Sequence, residues 1–312
     1  MCKLLHCAAC LALLAIALVL ATCGSNDTAD GKPVVLCSIF AYYDAARAIA
    51  GDKLAVRILV PPGRSPHEYE TAPEDKKTAY RAALYVKNGL DLDDRFDKLF
   101  DGSKAKVITI SQRIPQGMLL TTQELSLEEA ASQPAENTPA LAAVNPHIWL
   151  DPQIQIKAAE IIRDAMIELD PADKDVFQQN AGTYVDALKK LDADFLAGMA
   201  TIKTREFIGF HSAYEYLARR YGLRQIASLE ELPGADITVE QTKKIIQLIN
   251  QRHIKYIAVE TAFSGNSARL IEAQTGAREI VLQPLETYDN LQDTYEKYMR
   301  ENMQALKIAL DG

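Results

Sequence analysis

Three of the chain's five histidines stand where a fold presents side chains to a ligand. His67 lies in PPGRSPHEYE, just after the apolar run LAVRILV; His147 lies in NPHIWLDP; His211 closes the run EFIGF. Gln283 closes a fourth such run, REIVLQ. Neutral imidazole is the commonest protein ligand for borderline metals such as zinc. In open parallel sheets, ligands bind beyond the carboxyl ends of strands, which suits His67, His211 and Gln283. The gaps of 80 and 64 residues contain no close pair such as His-x-x-x-His, so spacing alone leaves each histidine open to an ordinary structural role. His253, in the polar helix end NQRHIKY, fits that structural role, and His6 lies in an apolar leader.

The elements that must position these side chains form an alternating pattern. Short β-branched runs at 33–40, 54–60, 82–88 and 105–111 predict four strands, and runs at 206–210, 224–229, 255–260 and 278–283 predict four more. Helical patterns lie between them, with 42–50 closed by Gly51. The fold class expected is α/β: two lobes, each a four-stranded mostly parallel sheet flanked by helices, joined by a long rigid connecting helix. Asp151-Pro152 supplies a capping residue and a first-turn proline for one helix, with apolar positions at Ile154, Ala158, Ile161, Ala165 and Leu169. Asp170-Pro171 breaks it and starts the next, whose stripe Phe177, Ala181, Tyr184, Leu188, Leu191 and Phe195 advances in helical steps. The domains expected are an N-terminal lobe at 33–170, a connecting helix at 171–200 and a C-terminal lobe at 201–312. Residues 121–144, rich in alanine and glutamate without periodicity, predict a mobile surface loop.

The formal net charge of −8 argues against a nucleic-acid partner, which needs a basic footprint. Lys3 followed by the uncharged run from Ala8 to Ala21 is too short to span a bilayer, for which roughly 20 residues are needed, and suits a cleaved export signal at 1–22. The run ends in Leu20-Ala21-Thr22-Cys23, which resembles a bacterial lipoprotein cleavage box, with Thr22 where Gly, Ala or Ser is usual. Lipid on Cys23 would tether the protein to a membrane surface through the polar stretch 23–32. An ordinary signal peptide with an incidental cysteine is the alternative. Cleavage would leave Cys37 as the single unlipidated cysteine, in PVVLCSIF, where it reads as a buried small hydrophobe.

From about Val34 to its C-terminus the chain resembles the solute-binding proteins of bacterial zinc and manganese ABC transporters. VLCSIFAYYDAARAIAGD is similar to the family's first strand and helix, and VPPGRSPHEYE, NPHIWLDP and FIGFHSAYEYLARRYGL to its three ligand segments. VETAFS and VLQPL resemble its last two conserved segments. The resemblance implies His67 and His147 as metal ligands from the first lobe and His211 from the second. Manganese-preferring members usually have a carboxylate at the place of His211, and three imidazoles suit zinc better than harder manganese. Where the family commonly has aspartate in the last segment, this chain has Gln283, and Pro66 stands where some zinc members have glutamate. Without either carboxylate, the Gln283 carbonyl oxygen or water would complete the tetrahedron. Glu260 corresponds to a family glutamate that orients a ligand histidine or caps a helix.

The function implied is capture of a divalent metal, Zn²⁺ before Mn²⁺, outside the cytoplasmic membrane or in the periplasm. The protein would be a lipid-anchored monomer that delivers metal to an ABC permease and is not an enzyme. Two readings from other classes stand beside it. One is a zinc hydrolase or hydratase, since three histidines plus water also describe a catalytic site. The other is an adhesin-like lipoprotein whose zinc is structural.

Overall fold

The computed structural model describes residues 31–120, 144–229, 237–260 and 266–311. The leader, Cys23 and nearly all of the acidic loop fall outside the described residues. The chain divides into Met1–Lys32 and one compact unit, Pro33–Gly312, which holds every element below.

All eight runs expected as strands contain one: β1 (Val34–Cys37), β2 (Ala55–Ile58), β3 (Ala82–Lys87), β4 (Lys106–Thr109), β5 (Glu206–Gly209), β6 (Arg224–Ser228), β7 (Tyr256–Val259) and β8 (Arg278–Val281). They form two four-stranded sheets, ordered β2-β1-β3-β4 and β6-β5-β7-β8, with every pairing parallel. The same order is thus used twice. In each sheet the chain leaves the first strand for one side and then crosses to the other, so the crevice between the first and third strands is a topological switch point. The central strands are buried while β2 and β8 are largely open, as a sheet with covered middle and solvated edges requires.

Helix α1 (Phe40–Ala50) starts two residues earlier than the sequence suggests and ends where Gly51 takes φ 56°, its N–H reaching the Arg47 carbonyl. After α2 (Pro73–Arg81), α3 (Pro152–Leu169) begins as expected, with the Asp151 carboxylate accepting from the Gln153 N–H at 2.9 Å. A 3-10 turn at Pro171–Asp173 leads into α4 (Lys174–Met199), whose 26 residues span about 39 Å at 1.5 Å per residue. Five of the six stripe residues on α4 are fully buried and Tyr184 is half-buried, its hydroxyl donating to Asp44. Helices α5 (Glu215–Tyr221), α6 (Val239–Arg252) and α7 (Asn266–Thr275) flank the second sheet.

The last helix, α8 (Tyr295–Asp311), runs back towards the first sheet's elements. Asp44 on α1 accepts from the Tyr295 N–H at 3.1 Å, and Arg47 donates to the carbonyls of Leu291 and Asp293. Asp192, buried on α4, gathers further elements. It accepts two bonds from Arg220 and one each from Tyr221 and Gln153, so helices following two different histidines share one anchor. One apolar core therefore extends from the first sheet through α3 and α4 to the second. Cys37 lies inside that core, where burial pushes its thiol up. No helix among the described residues is long and apolar enough to cross a membrane.

Candidate metal centre

His67 stands on the loop after β2, His147 at the entry to the 3-10 turn Ile148–Leu150, and His211 two residues beyond β5. Although 80 and 64 residues separate them, their rings converge. Nε2 of His147 lies 3.2 Å from Nε2 of His67 and 3.1 Å from Nε2 of His211. The fourth member is a carboxylate that the sequence does not disclose. Glu286 Oε2 lies 3.2 Å from His67 Nε2 and 3.3 Å from His147 Nε2. All four ligating atoms fall within 4.8 Å of one another. Zinc bonds of roughly 2.0–2.1 Å in a tetrahedron set ligand atoms about 3.3 Å apart, so these four edges have the right length.

Glu286 escapes sequence reasoning because it is not at a strand end. Beyond β8 the chain turns at Leu285, a non-glycine residue at φ 58°, which carries position 286 back to the histidines. A lone carboxylate inside the otherwise uncharged VLQPLETY is the available signal. Gln283, expected at the fourth position, is also buried, and its main chain exchanges two hydrogen bonds with Asn302 on α8. The group of side chains that lie together thus includes a carboxylate, that of Glu286. His253 lies elsewhere, exposed and in the left-handed conformation at the end of α6.

Local hydrogen bonds fix which nitrogen of each buried ring faces the cluster. The Asn145 side-chain oxygen Oδ1 accepts the His147 main-chain N–H at 2.9 Å, so it is an acceptor, and the His147 Nδ1 at 2.9 Å must be donating to it. The Asn145 amide nitrogen donates to the Ser212 carbonyl and to Glu215, tying this segment to the one that bears His211. His211 Nδ1 faces Glu260 Oε1 at 2.7 Å, and Glu260 begins where β7 ends, at the switch point of the second sheet. Tyr214 also donates to that oxygen. In the first sheet the corresponding crevice holds Asn88, whose Oδ1 accepts a hydrogen bond from the Tyr42 hydroxyl and whose Nδ2 donates to the Pro146 carbonyl, directly before His147. Trp149 packs with its ring 5.3 Å from that of His147 and donates to the Pro284 carbonyl, two residues before Glu286.

The electrostatics follow from this crowding. Burial holds His147 down to about 4, keeping it neutral. Burial also opposes charge on His211, but the charge and hydrogen bond of Glu260 outweigh it and raise His211 to about 9. Glu286 feels the same burial, yet the surrounding imidazoles together keep its carboxyl well below the ordinary range. Its Oε2 is buried and lacks a hydrogen bond of good geometry. Four electron-pair donors thus face one another in a largely buried space, an arrangement stable only around a cation, whether metal or proton.

Residues 35–309 match the family model described as "Zinc-uptake complex component A periplasmic". The chain belongs to this family. It is 29% identical over 300 residues to the zinc-binding lipoprotein AdcA of Streptococcus pneumoniae, covering 95% of this chain and 59% of that one. The chain therefore spans little more than half the length of that longer relative. The crystal structure of the Zn(II)-bound ZnuA-like domain of the pneumococcal protein superposes with a TM-score of 0.74 at 27% identity, covering 90% of this chain and all of that domain. The high-affinity zinc uptake system protein ZnuA of Bacillus subtilis is 27% identical over 310 residues, 97% of this chain and 95% of that one. A solute-binding protein of Pseudomonas aeruginosa, FpvC, in complex with Mn²⁺ fits equally well, with a TM-score of 0.75 at 27% identity over 89% of this chain and 98% of that one.

Asn145 and Glu260 touch ring nitrogens that point away from the cluster, and such outer partners are typically worth about 10–100-fold in metal affinity. Asn145→Ala is expected to weaken zinc binding by about that factor. In nitrogen-15 spectra of the metal-free protein it should also convert His147 from the Nδ1–H tautomer to a mixture. An unchanged tautomer would show that something else orients the ring.

Proposed function

We propose that this protein captures zinc through His67, His147, His211 and Glu286, with Glu286 rather than Gln283 in the fourth position. The observation that carries this reading is the convergence of three imidazole nitrogens and one carboxylate oxygen at tetrahedral spacing. Three nitrogens and a single oxygen form a donor set that zinc favours over manganese, which prefers oxygen-rich octahedral surroundings. Manganese remains the second reading, because the similar protein from Pseudomonas aeruginosa holds that ion.

The protein delivers its cargo to an ABC permease, works as a monomer and is held at the outer side of the cytoplasmic membrane, or in the periplasm, by lipid on Cys23. The family description supports the delivery role, and the lipoprotein naming of the pneumococcal relative supports the anchor. A carboxylate as fourth donor leaves no open position for substrate, which favours a carrier over a hydrolase or hydratase.

Metal analysis of protein purified without chelators should give one zinc per chain. Stripping that zinc should leave a folded apo form, because the core between the sheets does not depend on the ion, and should change Trp149 fluorescence. Unfolding on chelation, seen by circular dichroism, would mark the metal as structural and overturn the carrier assignment.

A further inference from the structure

The loop bearing His67 and the segment bearing Glu286 meet through one buried hydroxyl. Ser65, 4% exposed, lies between them. The main-chain N–H of His67 points at Ser65 Oγ from 3.2 Å, and a main-chain N–H can only donate. The hydroxyl therefore spends its own proton on Glu286 Oε1, 3.1 Å away. Oε1 is occupied, and the carboxylate presents Oε2 to His67 and His147.

We propose that Ser65 is a specificity-determining residue: by holding Oε1, it makes Glu286 a one-oxygen ligand and fixes the donor count at four. This rests on the zinc-site assignment above. Four donors complete the tetrahedron of Zn²⁺. Mn²⁺ prefers octahedral coordination rich in oxygen and gains from each additional oxygen. A carboxylate free to rotate would offer both oxygens, raising the count to five and narrowing the gap between the metals. The hydroxyl also connects the two ligands directly, since the residue that restrains Glu286 is the one that accepts from the main chain of His67.

The loop does not hang on this hydroxyl. The Gly63 N–H donates to the Tyr288 carbonyl at 3.0 Å, the Tyr69 N–H to the Ser65 carbonyl at 2.9 Å, and Arg95 donates to the Pro66 carbonyl. Ser65→Ala should therefore leave the loop in place and remove only the restraint on Oε1.

The test uses the full chain as wild type, Ser65→Ala and Ser65→Thr, with zinc–manganese competition and X-ray absorption at the zinc edge. Wild type should be four-coordinate. Ser65→Ala should gain a fifth, longer oxygen contact, and its preference for zinc over manganese should fall by about tenfold or more, within the range that outer hydrogen-bond partners control. Ser65→Thr, which keeps the hydroxyl, should restore both values; if its methyl group is not accommodated, the alanine data decide alone. An unchanged preference, equal weakening for both metals, or a zinc site still four-coordinate in Ser65→Ala overturns the role of Ser65 while leaving the zinc site standing. A wild-type chain that takes up neither metal overturns the zinc site itself, and this role with it.

Discussion

Replacing His147 with alanine is expected to lower zinc affinity by about 10²–10³-fold. Structural zinc sites bind with about 10–16 kcal/mol, so one of four donors is worth roughly 3–4 kcal/mol, and each 1.4 kcal/mol is tenfold. His147 is the right residue to remove because it is the hub. Its Nε2 lies within 3.3 Å of the ligating atoms of His67, His211 and Glu286 alike, whereas the other three are not all so close to one another in the contacts measured. Calorimetric titration of the apo variant, with circular dichroism as a check on folding, measures the loss. Affinity equal to wild type would mean the cation sits elsewhere.

The second large effect is on pH. An unperturbed histidine would make affinity fall below roughly pH 6.5. The geometry moves that boundary upward. His211, raised to about 9 by Glu260 despite burial, carries a proton at neutral pH, and the nitrogen facing the cluster is the one that must surrender it. Metal binding below about 9 therefore expels a proton, so affinity should rise by about tenfold per pH unit through the neutral range and level off near 9. His147, held down to about 4, and Glu286, held low, add no further slope there. Calorimetry in buffers of different ionisation enthalpy should count close to one proton released at pH 7. A count near zero, with affinity flat from pH 7 to 9, would show that His211 is already neutral.

Much of the fold and most of the site are legible in the residues themselves, and the reasons are local. The eight strands declare themselves because each is a short β-branched run bounded by helix signals. The Asp151-Pro152 start of α3 is a side-chain cap followed by a residue that lacks the N–H the cap would otherwise have to satisfy. His67, His147 and His211 stand out as lone polar rings at element ends. Other features depend on contacts between distant segments. Helix α5 begins at Glu215 rather than directly after His211, because residues 211–214 form a turn that lets the ring face Glu260 and the main chain meet Gln225. Glu286 is hidden by the left-handed turn at Leu285, which no hydrophobic period encodes. The place of Glu260 follows from resemblance, but its choice between orienting a ring and capping a helix needs the 2.7 Å contact with His211.

The repeated strand order has a consequence for how the two halves can change. In the second sheet the crevice between the central strands opens on the histidine cluster, with the His211–Glu260 couple at its mouth. In the first, the matching crevice is plugged by Asn88, Tyr42 and Asp93, and acts only as a prop beneath Pro146. Each half supplies two members of the cluster, yet the two crevices carry unequal duties: one holds the carboxylate that orients His211, the other supports the main chain just before His147. Substitutions at the mouth of the second crevice alter what is held, whereas those in the first alter only how firmly His147 is presented.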